Sequence, residues 1–254
     1  MPRTARWRGS AGLTELAAQQ DQVLSRQQLA GYGVLRDHLR IELRARRWQL
    51  VGCRAVVLQT GQLTGPQRWW AAVLNAGKTA ALCGITAAQV HGLRGFDAER
   101  VHVVVPHGTR YHPLAWVRVH ESRRYLPDRD LHPVRRPPTV GVERALIDAA
   151  VWASRARWGC ALLAAGVQQR LTTAERLLAE LAGAGEVAHR RILAASLLDI
   201  GGGAQALGEI DLVGLCGTHG LPAPNRQVRR VVGGRLRYID EAVRRSGGSM
   251  PRSA

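Results

Sequence analysis

Lysine is almost absent from this chain: Lys78 is the only one, although lysine and arginine together number 36 of 254 residues. Nearly all positive charge is therefore arginine, whose planar fork suits phosphate and guanine. GC-rich coding produces the same bias, and we attribute most of it to coding. Acidic residues are few, 19 against those 36, which leaves a net charge of +17 and a pI near 11.4. Polyanionic partners follow, nucleic acid first and an anionic membrane surface second. Cysteine is scarce and scattered (Cys53, Cys83, Cys160, Cys216), with no Cys-x-x-Cys pair. That spacing argues against a zinc site and for free thiols in a reducing compartment. No apolar run approaches 18 residues, so no membrane span is expected. The basic segment Met1 to Ser10 is followed by no apolar stretch of the signal-peptide kind, so a cytoplasmic protein is expected. There is no Gly-x-Ser-x-Gly elbow to support a hydrolase triad, and Gly201-Gly202-Gly203 is followed by no Gly-Lys-Ser/Thr, which excludes a phosphate loop there.

What the chain does have is a dense N-terminal pattern between Ser25 and Leu58. Ser25 with Gln28 makes a capping box, in which hydroxyl and amide satisfy orphan N–H groups at a helix start. Gly31-Tyr32-Gly33 ends that short helix, because glycine reaches left-handed angles cheaply. Leu35, Leu39 and Leu43 then recur at i, i+4, i+8 and predict one apolar helix face, with Arg36, His38, Arg40, Arg44 and Arg47 turned outward. Trp48 to Val51 and Ala55 to Leu58, separated by Gly52-Cys53-Arg54, read as a hairpin. Helix, tight turn, basic helix and hairpin is the order of a winged helix-turn-helix over residues 11–60. On that reading Arg36, His38, Arg40, Arg44 and Arg47 contact groove and phosphates, and Arg54 at the wing tip contacts the adjacent backbone. A helix-turn-helix is also an ordinary packing unit and an arginine face an ordinary solvated face; the net charge tips the balance towards DNA.

Residues 1–10 are expected to form a disordered basic arm, and the polar, Gly- and Pro-marked stretch 61–66 a domain boundary. Residues 66–200 read as an α+β domain ending in a helical segment. Gln67 to Asn75 is a helix, Thr86 is read as the cap of another, and Val101 to Val105 and Trp116 to His120 are strands. Val134 to Val140 is an extended connector, and helices run from Gly141 to about Leu198. His102, His107 and His112 recur every five residues, a spacing that shares one face of neither helix nor strand, so no metal is assigned to them. Trp69-Trp70 and Trp152/Trp158 are read as core or interface rather than a base-stacking platform. Arg123-Arg124 and Arg135-Arg136 are either phosphate contacts or solvated surface.

Taken with the basic N-terminal unit, three segments carry a resemblance: Thr79 to Leu93, Val101 to Pro106, and Glu143-Arg144-Ala145-Leu146-Ile147-Asp148-Ala149-Ala150. In that order and spacing the chain resembles the antitoxin family of abortive-infection type IV toxin–antitoxin systems over about residues 11–200. The resemblance implies binding of the protein's own promoter through the winged helix, with repression. It implies a middle domain that supports antitoxicity, and a cognate toxin protein as a further partner.

Beyond the glycine triplet, Leu207 to Cys216 has helical spacing, and Asn225 to Val228 and Arg235 to Asp240 read as strands around Gly233-Gly234. Residues 204–240 resemble the start of a very-short-patch-repair endonuclease domain, a branch of the PD-(D/E)XK fold. That resemblance makes Glu209 the helix carboxylate and Asp240 the metal-binding aspartate. A divalent metal such as Mg2+ held by two or more acidic groups would be needed, and no Glu-bearing strand follows Asp240. The fragment is therefore expected to be inactive, Glu209 and Asp240 vestigial, and residues 241–254 a disordered tail. No cofactor is assigned. Arg226, Arg229, Arg230, Arg235 and Arg237 form a second basic cluster.

The expected fold is thus α+β: an N-terminal winged helix-turn-helix, a mixed α+β middle domain with a helical segment, and an incomplete C-terminal α/β nuclease-like fragment. The expected partner is double-stranded DNA. The rival readings are a shortened endonuclease and a protein-binding module whose middle domain contacts a toxin.

Overall fold

Ser10 starts the first helix, α1 (Ala11–Gln19), by accepting the Leu13 N–H at 3.4 Å. The computed structural model describes residues 10–112, 114–202, 225–232 and 235–242. After α1 come β1 (Val23–Ser25), α2 (Arg26–Gly31), α3 (Arg36–Arg44), β2 (Gln49–Val51) and β3 (Ala55–Val57). The three strands form one antiparallel sheet in the order β1-β3-β2. Alternation along the strands divides their side chains between two faces. Leu24 and Val56 face α1 to α3, where they close a core with Leu13, Ala17, Leu29, Val34 and Leu39. Leu24, Leu29 and Val56 are fully buried, and each contributes about 2 kcal/mol on transfer from water. Val23, Ala55 and Val57 face the other way.

That second face is covered by α4 (Gly65–Ala76). Thr64 and Gln67 make a second capping box. The buried Gln67 side chain also accepts from the Gln59 amide and donates to the Asp21 carbonyl, each at 3.1 Å. Trp70 and Ala71 of α4 pack on the first sheet, whereas Ala72, Val73 and Ala76 belong to the core of the next unit. The sequence places a boundary at 61–66, and the polar loop is there. It does not separate two cores, because the helix directly after it serves both.

The second unit holds β4 (Ala81–Leu82), α5 (Gly84–Val90), β5 (Val101–Pro106), β6 (Val117–Ser122) and the short α6 (Pro127–Asp130). Four helices follow: α7 (Val142–Val151), α8 (Ala156–Gln168), α9 (Ala174–Ala182) and α10 (Arg190–Gly201). The sheet order is β4-β5-β6, with β5 and β6 parallel and β4 antiparallel to β5. Thr139 bridges Leu82 and Val140 bridges Leu131, so the expected extended connector sits at the edge of this sheet. Thr86 is not a cap. The helix begins two residues earlier, at Gly84 with φ +53, and a Cβ there would lie 2.9 Å from the Trp152 ring. Thr86 is instead buried inside α5, and its hydroxyl accepts the His102 N–H at 2.9 Å. Helices α7 and α8 pack closely because Gly159 and Gly166 have no side chain to hold them apart from Ala150 and Leu146.

The mixed α+β class expected from the sequence is observed. Strands β7 (Asn225–Val232) and β8 (Arg235–Ala242) pair antiparallel, with Val232 opposite Arg235, and both run further than the sequence suggests. Asp240 falls within β8. Glu209, the helix expected over Leu207 to Cys216, the residues 1–9 of the basic arm and the residues 243–254 lie outside the described residues. No described helix is long and apolar enough to cross a membrane.

Candidate nucleic-acid interface

The geometry of the basic helix starts at Ser25. Its hydroxyl accepts the Gln28 N–H at 3.1 Å, and the Gln28 side-chain oxygen accepts the Ser25 N–H at 2.7 Å, closing the capping box. Gly33, with φ +83, turns the chain after α2, and the Val34 N–H returns to the Leu29 carbonyl at 3.0 Å. Helix α3 therefore leaves the turn pinned at its start by the buried side chains Leu29 and Val34.

Its faces differ in part from the expected ones. Leu35 precedes the helix as its N-cap residue and is 61% exposed, while Val34 takes the core position. The inward face is Leu39, Leu43 and the buried Glu42. Arg36, Arg40 and Arg44 are exposed, as is Arg46 just after the helix, a residue that hydrophobic spacing did not single out. Arg40 lies 3.3 Å from Asp37 in an exposed i, i+3 pair. Among the described residues no carboxylate reaches Arg36 or Arg44.

Three of the expected contact residues are placed differently. Arg47 is drawn back by Glu42, whose carboxylate takes its Nε at 2.5 Å; a nearly buried acid needs that partner, and sequence spacing gave no sign of it. His38 is half-buried, and its Nδ1 is enclosed without a hydrogen-bond partner. Arg54 does not sit on a free wing tip. The Cys53 and Arg54 N–H groups both donate to the Asn75 side-chain oxygen at 3.1 Å, while the Asn75 amide donates to the His112 carbonyl at 2.9 Å. Gly52, with φ +64, is required there, since a Cβ would come within 2.6 Å of Asn75. The Arg26 guanidinium donates to the Cys53 carbonyl at 3.3 Å. The hairpin tip is thus docked against α4 and the start of α2.

The remaining polar groups gather elsewhere. In the second unit Arg144 bonds Asp148 at 2.7 Å and Asp130 at 3.2 Å, and both Arg144 and Asp148 are buried. Arg124 pairs with Asp148 and Glu180, and Arg129 with Asp130. Burial pushes Asp148 and Glu180 up, against the pull of Arg144 and Arg124. Asp130, whose burial works the same way, is nonetheless held low by Arg129, the Leu126 N–H and Arg144. Arg124, weighed above as a phosphate contact, is therefore internally paired, while Arg123, Arg135 and Arg136 are exposed.

His102 meets His120 rather than His107 or His112. The parallel register sets His102 beside Arg118 on the neighbouring strand, and its Nδ1 lies 3.2 Å from His120 Nε2. His120 stacks flat on Trp152, with ring centroids 3.6 Å apart. Burial lowers both rings, His102 to about 4 with the added repulsion of Arg118, and His120 to about 3 with that of His102 and Arg118. A cavity of about 580 Å3 borders this cluster, lined by Arg100, His102, Arg118, Trp152 and Trp158 among others. Trp70 is buried in the core, whereas Trp152 and Trp158 remain more than a third exposed. Among the described residues no group of three or more His, Cys, Asp or Glu side chains is arranged to hold a metal.

No protein-family profile and no curated protein matches the chain. Among solved structures it is similar to the crystal structure of the Rv2827c protein from Mycobacterium tuberculosis, with 22% identity, 80% of each chain covered and a TM-score of 0.46.

Proposed function

We propose that this chain is an antitoxin-like, cytoplasmic DNA-binding protein that represses transcription of its own locus. Residues 11–60 act as a winged helix-turn-helix, and α3 is the helix that enters the major groove. The observation that carries the reading is the pairing state of the arginines on that helix. Arg36 and Arg44 are exposed with no carboxylate within reach among the described residues, on a short helix fixed by a capped partner helix and a tight turn. Unpaired guanidinium groups on a rigid face are available to phosphate, and phosphate neutralisation releases counterions and supplies most of the affinity. Arg47 acts by supporting this helix through Glu42. The middle unit, in this reading, serves contact with a toxin protein.

The decisive experiment is fluorescence-anisotropy titration of labelled duplexes with the full chain. The gene's own upstream region is compared with scrambled DNA at two salt concentrations, with magnesium present and strand integrity checked afterwards. Selective, salt-sensitive binding to intact upstream DNA is expected. Equal, weak binding to both duplexes would overturn the repressor reading. Cut strands would favour the rival, a PD-(D/E)XK-like nuclease built on the β7–β8 hairpin and Asp240.

A further inference from the structure

Ile41 stands in the middle of a strongly charged helix and is 53% exposed. It belongs to none of the hydrophobic clusters that α3 helps to close; Leu39 and Leu43 do that work. A β-branched residue at an exposed helix position is also a poorer helix former than alanine. Neither packing against the described residues nor local propensity explains it.

Its neighbours divide the outward surface of α3 into two kinds. Residues 37, 40, 41 and 44 follow i, i+3, i+4, i+7 and share one stripe. Arg44 closes that stripe at the C-terminal end, and Arg36 flanks it at the start. Asp37 lies between them, with its side chain 80% exposed, and pairs with Arg40. An exposed carboxylate would be repelled from a phosphate track, whereas on a groove floor it meets the amino groups of cytosine or adenine. Asp37 in the first helical turn also suits the helix dipole, which accounts for that residue alone and not for Ile41. The Asp37–Arg40 pair holds a guanidinium fork along the helix, ready for the paired acceptors of guanine. An aliphatic side chain beside them offers contact to the one apolar group on the major-groove floor, the C5-methyl of thymine.

We infer that Asp37, Arg40 and Ile41 are the base-reading residues of α3, and that Ile41 recognises a thymine methyl group, while Arg36 and Arg44 hold the flanking phosphates. The inference rests on the DNA-binding reading above and assigns specificity within it.

The test uses the full chain and a pool of random duplexes from which preferred sites are selected. Each thymine of a selected site is then replaced by deoxyuridine, which removes only the methyl group. Replacement at one or two positions should weaken binding about fourfold, as expected for one buried methyl-sized contact. The same replacement should leave binding to Ile41→Ala unchanged, while Ile41→Val retains the sensitivity. Circular dichroism of both variants checks folding. If no thymine replacement matters, or if Ile41→Ala remains as sensitive as the parent, the inference fails while the DNA-binding reading stands. If the selection enriches no sequence at all, the DNA-binding reading fails with it.

Discussion

On α3, Arg36 and Arg44 stand in solvent with no carboxylate paired to them among the described residues, whereas on α7 Arg144 is buried between Asp130 and Asp148. Both arginines at the ends of this comparison, Arg44 and Arg144, sit in short amphipathic helices, and composition counts them alike. The difference lies in what other parts of the chain bring to them. Residues near 124–130 and α9 deliver Arg124, Asp130 and Glu180 to α7, which turns a set of charges into an internally compensated network. Around α3 the one buried acid among the described residues, Glu42, is matched by Arg47 and the exposed Asp37 by Arg40, which leaves Arg36 and Arg44 with no carboxylate partner among the described residues. The net charge of +17 is therefore not a property of the whole surface alike. Its availability depends on pairing, and pairing is a property of the fold.

The largest expected effect comes from breaking the compensated side. Arg144→Met leaves Asp148 buried without its main partner and should cost about 3–5 kcal/mol in urea unfolding. Combining it with Asp148→Leu should recover much of that loss, because an apolar pair of similar size needs no charge compensation. Recovery in the double variant would separate an electrostatic role from simple packing.

Next is Asn75→Ala. It removes the acceptor shared by Cys53 and Arg54 and should cost about 2 kcal/mol, with faster amide exchange at both positions. Unchanged exchange would mean that the hairpin tip is held by something other than Asn75.

On the uncompensated side, Arg36→Ala with Arg44→Ala should leave thermal stability within about 0.5 kcal/mol. It should also flatten the log–log salt dependence of DNA binding by about 0.9 for each lost phosphate contact. A lowered stability with an unchanged slope would reverse the comparison between the two helices.

A pH dependence stands apart from these substitutions. His102 and His120 have folded values near 4 and 3, below the usual value near 6.5. The unfolded chain therefore binds more protons over that interval, so the stabilisation is present above about 6.5 and is lost as pH falls towards about 3. Melting temperature should decline over that window in the parent and decline less in His120→Gln. Equal slopes would remove the histidine pair from the titration.

Local rules were legible in the sequence and long-range ones were not. The Ser25–Gln28 capping box needs only three residues of context, and it closes as read. Leu35 satisfies the same spacing rule as Leu39 and Leu43, yet the helix starts one residue later and Val34 packs in its place. Periodicity finds a face more reliably than an end. Thr86 has the chemistry of a cap, but Gly84 adopts the left-handed angle that opens the helix earlier. The Glu42–Arg47 bond, the Asn75 clasp and the His102–His120 contact were invisible because each depends on backbone placement rather than spacing. His102 is a clear case: strand register, not the interval of five, chooses its partner. The run Trp69 to Leu74 did carry a signal, since a helix apolar on all sides has neighbours on more than one.

That helix, α4, also governs how the chain can be taken apart. A fragment cut in the polar loop before it would present Val23, Ala55 and Val57 bare to water, and one cut just after it would strand Ala72, Val73 and Ala76 instead. Neither cut yields a clean module, so a protease should find no nick that liberates a soluble N-terminal piece. The two units should melt in a single transition, and fragments offered as isolated domains should aggregate through whichever side of α4 has lost its cover.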